Sequence, residues 1–188
     1  MFDAVIDFYL KSHPITLFVL ALLAFYFITL NWVFFYRYFS LNQWLAKESA
    51  SLEALLLGAS HVSENSFLYH FLKTSDTLCK EIFDLGNYAG TKEATKGLAL
   101  LSVVASTAPF IGLFGTVVSI LDTFSNIGRA SGTMSIIAAG VSDALVATAA
   151  GIFVAVFAYT YHQILKRKSY EITGMIRMQS DAILSRKG

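Results

Sequence analysis

The chain has 188 residues, of which 55% are hydrophobic and only 14% charged, with a formal net charge of +1. Soluble domains carry about a quarter of their residues as charges, so this composition belongs to an integral membrane protein and excludes a disordered chain, which would be charged and poor in aromatics. It gives no electrostatic footing for nucleic acid, and a lone cysteine, Cys79, with four scattered histidines, His13, His61, His70 and His162, offers neither an internal disulfide nor a metal-ligand spacing, so no metal or cofactor site is expected.

Residues 1–13 form an N-terminal segment with Asp3 and Asp7 where a secretory leader would need positive charge. Residues 14–36 predict the first transmembrane helix. No charge lies between Lys11 and Arg37, which exceeds the roughly 20 residues a span needs. Trp32, Tyr36 and Tyr38 near its far end fit an interfacial aromatic belt, and Asn31 is expected to bond across to another helix. Residues 37–96 predict a helical loop: "SLEALLLGA" and "FLYHFLKTSDTLCKEIFDLG" carry apolar residues at helical spacing. One short extra helix is expected near 65–85, with Gly58 and Gly86 as helix-ending residues. Residues 97–122 predict the second span, 123–135 a short loop rich in Gly, Ser and Asn, and 136–161 the third span. The tail, 162–188, reads as the third span's helix running on. No strand pattern and no internal repeat is visible. The expected fold class is all-α, with three transmembrane helices extended into the cytoplasm.

Lys and Arg fix the topology. The loop 37–96 holds six (Arg37, Lys47, Lys73, Lys80, Lys92, Lys96), and so does the tail (Lys166, Arg167, Lys168, Arg177, Arg186, Lys187), whereas the N-terminal segment has only Lys11 and the short loop only Arg129. The positive-inside rule then places the loop and the C-terminus in the cytoplasm, the N-terminus and short loop outside. His162, Lys166, Arg167 and Lys168 read as an inner-surface anchor, and the remaining charges as solvated faces with membrane-lipid headgroup contact as an option.

Two stripes of small or hydroxylated residues mark the last two spans. Ala105, Ala108, Gly112, Thr116, Ser119 and Thr123 recur every three or four residues, as do Gly140, Ala144, Ala147, Gly151, Ala155 and Ala158. Such faces let helix backbones approach closely in lipid, so packing explains most of both stripes. Asp143 is harder to explain by packing. A carboxylate at mid-span costs about 2.5–3.5 kcal/mol on insertion scales and faces a bundle interior, a partner or a watery path. Thr116 and Asp143 fall at a similar distance from the outer ends of their spans, roughly 10 Å at 1.5 Å per residue, so a hydroxyl and a carboxylate could share one layer of a proton path. The residues leave this open beside a purely packing role. Pro109 removes a backbone hydrogen bond inside span two and is expected to kink it, a nearby hydroxyl such as Ser106 satisfying the freed carbonyl. No nucleophile–base order, zinc motif or phosphate loop is present, so no enzyme is expected.

The run "STAPFIGLFGTVVSILDTF" (106–124) followed by "IIAAGVSDALVATAAGIFVAVFAYTYHQIL" (136–165) resembles the TolQ/ExbB family of inner-membrane proteins, distantly related to MotA. The likeness is dense over the last two spans and extends to the first only by layout. It implies a homopentameric ring in the bacterial inner membrane around a dimer of single-span TolR- or ExbD-like helices. Proton passage at those helices would drive a motion passed outward, with a TolA- or TonB-like protein beyond. By motif, Thr116 and Thr148 take the places of the family's pore threonines and Asp143 that of its intramembrane Glu. Three departures are visible: Asp143 is one methylene shorter, Ala139 stands where Pro is common, and Val118-Ser119 replaces a Trp-Gly pair. The N-terminal run favours TolQ, serving outer-membrane integrity and division. The alternatives are ExbB, energising outer-membrane nutrient import, and a non-conducting scaffold.

Overall fold

The computed structural model describes residues 14–59, 61–73, 80–127 and 133–186; the expected N-terminal segment, Cys79, Arg129 and Lys187 lie outside these, as does the side chain of Ala139. Five helices follow in order: α1 (Pro14–Leu56), α2 (Phe67–Lys73), α3 (Lys80–Ala94), α4 (Leu98–Ile127) and α5 (Thr133–Ser185). There is no strand among the described residues. Three helices, α1, α4 and α5, are long and apolar enough to cross a membrane. At 1.5 Å per residue, the 43 residues of α1 and 53 of α5 reach about 65 and 80 Å, at least twice the roughly 30 Å of a bilayer's hydrocarbon. Spans one and three are therefore parts of continuous helices that run on, as the sequence predicts. No proline interrupts either helix after Pro14, which opens α1.

The chain divides into two compact units, residues 1–32 with 100–161, and residues 33–99 with 162–188. In the first, Val19, Leu23 and Leu30 of α1 are buried. Phe27 packs against Phe153 at a tilt and edge-on against Phe157 of α5, centroids 5.7 and 5.4 Å apart. The Tyr161 hydroxyl donates to Asn31 Oδ1 at 3.0 Å, and Asn31 Nδ2 donates to Phe27 O at 2.8 Å. The interhelical bond expected of Asn31 is thus made, and it leaves neither amide atom of Asn31 unpaired in an apolar setting.

In the second unit, Leu41, Leu55, Leu68, Phe83, Leu165, Ile172 and Ile176 form a buried core. The region expected to hold one extra helix holds two, α2 and α3. Gly86 does not end a helix: it lies inside α3, where a Cβ would meet Leu68 Cδ2 at 2.8 Å. Its lack of a side chain serves close packing. Gly58 does end α1. It has φ +108°, Gly58 N donates to Leu55 O at 3.1 Å and Ala59 N to Ala54 O at 3.0 Å, the bond pattern of a left-handed helix cap.

Several charges expected to be solvated are structural. Glu48 is 0% exposed. Its Oε1 accepts from Trp44 Nε1 (2.9 Å) and the Phe67 amide (2.7 Å), its Oε2 from Ser66 Oγ (2.8 Å) and Gln179 Nε2 (2.8 Å). Four neutral donors thus saturate one buried carboxylate and tie α1 to the start of α2 and to α5. Arg37 Nη2 donates to Glu93 O (2.7 Å) and Ala94 O (3.0 Å), capping the C-terminus of α3. Arg186 donates to Leu55 O and Ala59 O, both at 2.6 Å, closing the end of α1. Both arginines place positive charge at the negative end of a helix dipole. Lys168 bonds Asn42 Oδ1 at 2.8 Å and lies 4.7 Å from the Tyr38 ring centroid.

Candidate functional site

The two small-residue stripes face each other. Ala108, Gly112, Ser119 and Thr123 of α4 and Ala144, Ala147, Gly151, Ala155 and Ala158 of α5 are all buried. At the closest crossing, a Cβ on Gly112 would lie 2.8 Å from Ala147 O and one on Gly151 2.7 Å from Ala108 O and 2.9 Å from Gly112 Cα. Only glycine permits that approach, because the obstructing atoms are backbone. A Cβ on Gly140 would overlap the Thr123 side chain. Ser119 Oγ donates to Gly140 O at 3.2 Å and Thr123 Oγ1 to Ser119 O at 2.8 Å. Gly115, absent from the sequence-derived stripe, belongs to the same contact. Its Cβ would meet Ala147 Cβ and Val19 Cγ1, each at 3.1 Å, so it is where α1 joins the pair. Its position three residues after Gly112 is the signal that would have found it.

The close backbones bring Thr116 and Thr148 together. Their Oγ1 atoms are hydrogen-bond partners across the α4–α5 interface. Thr116 Oγ1 also reaches Gly112 O and Ala144 O, both at 3.2 Å, and Thr148 Oγ1 reaches Gly112 O at 3.4 Å. Each hydroxyl has one proton and more than one acceptor, so the pair can reverse its donor direction without any atom becoming charged. Both threonines are half-buried while their neighbours Gly112, Gly115, Ala144 and Ala147 are buried, which puts the pair at the edge of the interface.

Asp143 is half-buried and directly precedes Ala144, whose carbonyl bonds Thr116, so acid and hydroxyl share a level. Around α5, Asp143 stands about 140° from Thr148 at 100° per residue, so level and azimuth do not coincide. The helix α4 continues through Pro109. The expected rescue of its freed carbonyl is not the one seen. The carbonyl left without a donor is that of Ala105, four residues back, whereas Ser106 Oγ donates to Ser102 O (3.1 Å) and Val103 O (2.9 Å). The Ser106 hydroxyl turns back toward the helix N-terminus, as hydroxyls inside helices commonly do, and so points away from the gap that Pro109 opens.

A model of the MotA/TolQ/ExbB proton channel family matches residues 59–178, which include α2 to α4 and most of α5. The chain belongs to that family. A biopolymer transport protein ExbB-like 1 of Helicobacter pylori strain J99 is 40% identical over 190 residues, covering all of both chains. ExbB of Neisseria gonorrhoeae is 48% identical over 79 residues, 41% of this chain and 36% of its own. ExbB of Pseudomonas putida is 36% identical over 95 residues, 50% of this chain and 28% of its own. This family member is a multi-pass membrane protein of a proton-channel class, with its two motif threonines in mutual contact.

Proposed function

We propose that this protein is the ring-forming, proton-conducting subunit of an inner-membrane energiser of the ExbB kind. It encloses a dimer of single-span ExbD-like helices, and the proton-motive force turns or shifts these to do work at the outer membrane. The observation that carries the reading is the Thr116–Thr148 hydroxyl pair at the edge of the glycine-tight α4–α5 contact. A proton arriving at one hydroxyl can leave from the other as their donor directions reverse, and a partner carboxylate brought to that edge exchanges it. The membrane potential supplies about 2.3 kcal/mol per charge per 100 mV, and protonation removes most of the cost of moving that carboxylate past an apolar face. The N-terminus lies in the periplasm and the C-terminus in the cytoplasm in this reading, because Lys and Arg concentrate in 37–96 and 162–188. Relatives named for biopolymer transport, one matching from end to end, favour nutrient import over the Tol-Pal role.

The test is proton uptake by proteoliposomes holding the complex purified with its native partner. Thr116→Val and Thr148→Val should each abolish uptake while the partner still co-purifies, and Thr→Ser at either position should retain most of it. Uptake at wild-type rate in both valine variants would overturn the reading. Native mass spectrometry of the same complex should give five copies with two of a small single-span protein. Loss of iron-complex uptake in a deletion strain, without detergent sensitivity, separates the ExbB role from the Tol role.

A further inference from the structure

The second unit contains a cavity of about 320 Å³ that the proton path does not use. Arg37, Gln43, Trp44, Lys47, Asn65 and His70 line it, with Glu93 the one acid among the lining residues. The carboxylate of Glu93 is shared, standing 3.9 Å from Arg37 and 3.8 Å from Lys96. Glu48 lies behind the Trp44–Ser66 wall with both oxygens engaged. Arg37 is only 8% exposed. Its Nη2 donates to two carbonyls and its Nε, which has no exposed surface, is without a partner among the described residues, so Nη1, 3.9 Å from Glu93 Oε1, is the donor left to face the cavity. Lys47 is exposed and has no ion-pair partner among the described residues. Trp44 and Phe67 pack with centroids 5.3 Å apart and planes tilted by 44°, and give the cavity an apolar side. Asn65 and Gln43 add amide donors. The volume is at the lower end of small-ligand sites.

We propose that this cavity binds a phosphate ester, its anionic group held by Arg37 and Lys47 and its organic part lying on Trp44 and Phe67. Arg37 offers a single fixed donor at Nη1 and Lys47 a mobile point charge, a pairing suited to phosphate oxygens. Two sources share this chemistry. Arg37 follows directly on the aromatic end of the first uncharged stretch, where phospholipid headgroups meet a span. Lys47 lines the same cavity ten residues farther along α1, and its long flexible side chain lets its ammonium reach back toward Arg37, so a soluble phosphate ester fits there as well. The inference stands apart from the proton-path reading, and neither test decides the other.

The experiment uses the full chain in dodecyl maltoside with Trp32→Phe, so that Trp44 is the only indole. One arm titrates glycerol 3-phosphate, and the other compares mixed micelles of dioleoylphosphatidylglycerol with those of dioleoylphosphatidylcholine. Saturable change in Trp44 emission is expected in at least one arm, weakened about tenfold or more by Lys47→Gln and by Arg37→Lys. Response in the glycerol 3-phosphate arm assigns a soluble ligand, and response to phosphatidylglycerol alone assigns a lipid headgroup. Because Arg37 also caps α3, the exposed Lys47→Gln variant carries the test if Arg37→Lys fails to fold. No saturable response in either arm, or a response that Lys47→Gln leaves unchanged, overturns the proposal.

Discussion

Replacing Glu48 with alanine removes the acceptor of four hydrogen bonds from a side chain that is 0% exposed. The loss is not four times one bond. Ser66 Oγ can turn to Gln179 Oε1, 3.0 Å away, and Gln179 Nε2 keeps a 3.2 Å bond to Glu48 O. Trp44 is half-buried and can find water. The Phe67 amide is left without a partner and Gln179 Nε2 with only part of one, at about 1–3 kcal/mol for each unsatisfied group. Adding the cavity left by the side chain, the expected destabilisation is about 3–5 kcal/mol, from two groups left unsatisfied and the truncation of a buried side chain. For a chain of this size that lowers the melting temperature by on the order of 10 °C. Glu48→Gln should cost only about 1–2 kcal/mol, because flipping the Gln179 amide and rotating the Ser51 and Ser66 hydroxyls re-pairs the new NH2 group. The assay is thermal unfolding followed by Trp44 emission in a Trp32→Phe background. An alanine variant that melts within about 2 °C of its parent, a change of under about 1 kcal/mol, would refute the reasoning. So would a glutamine variant as unstable as the alanine one, since the donors would then not be what matters.

Three further outcomes are expected. Gly151→Ala sets a methyl against Ala108 O and Gly112 Cα, so α4 and α5 must separate, at about 1–3 kcal/mol, and proton uptake should fall because the Thr116–Thr148 contact opens with them; unchanged uptake and melting would contradict this. Arg186→Ala removes two bonds to the end of α1, worth roughly 1 kcal/mol at an exposed position, and should speed hydrogen exchange at the amides of Leu57, Gly58 and Ala59 while leaving those of α4 alone. Asp143→Ala should impair coupling or ring assembly and Asp143→Glu should retain activity, read as envelope function in a complemented deletion strain. Wild-type function in the alanine variant would remove Asp143 from the mechanism.

The sequence by itself determined the class, the three apolar spans and the long helical continuations, because charge-free stretches of span length and apolar residues at helical spacing are local properties. It also showed both small-residue stripes, Thr116 among them, since a helix face is a matter of spacing, while Thr148 came from the likeness to the family motif. What it could not show is which face meets which. That the stripes meet each other, with Gly112 on Gly151 and Thr116 on Thr148, depends on residues more than 30 positions apart. The same holds for the charges. Arg37, Glu48 and Arg186 read as ordinary polar residues beside a membrane, and only the folded chain brings helix ends and buried donors within reach of them. Gly86 makes the point from the other side. Alone it is a helix breaker, and it becomes a packing residue once Leu68 lies against it. Local periodicity decides where helices form, and tertiary contact decides what each exceptional residue in them is for.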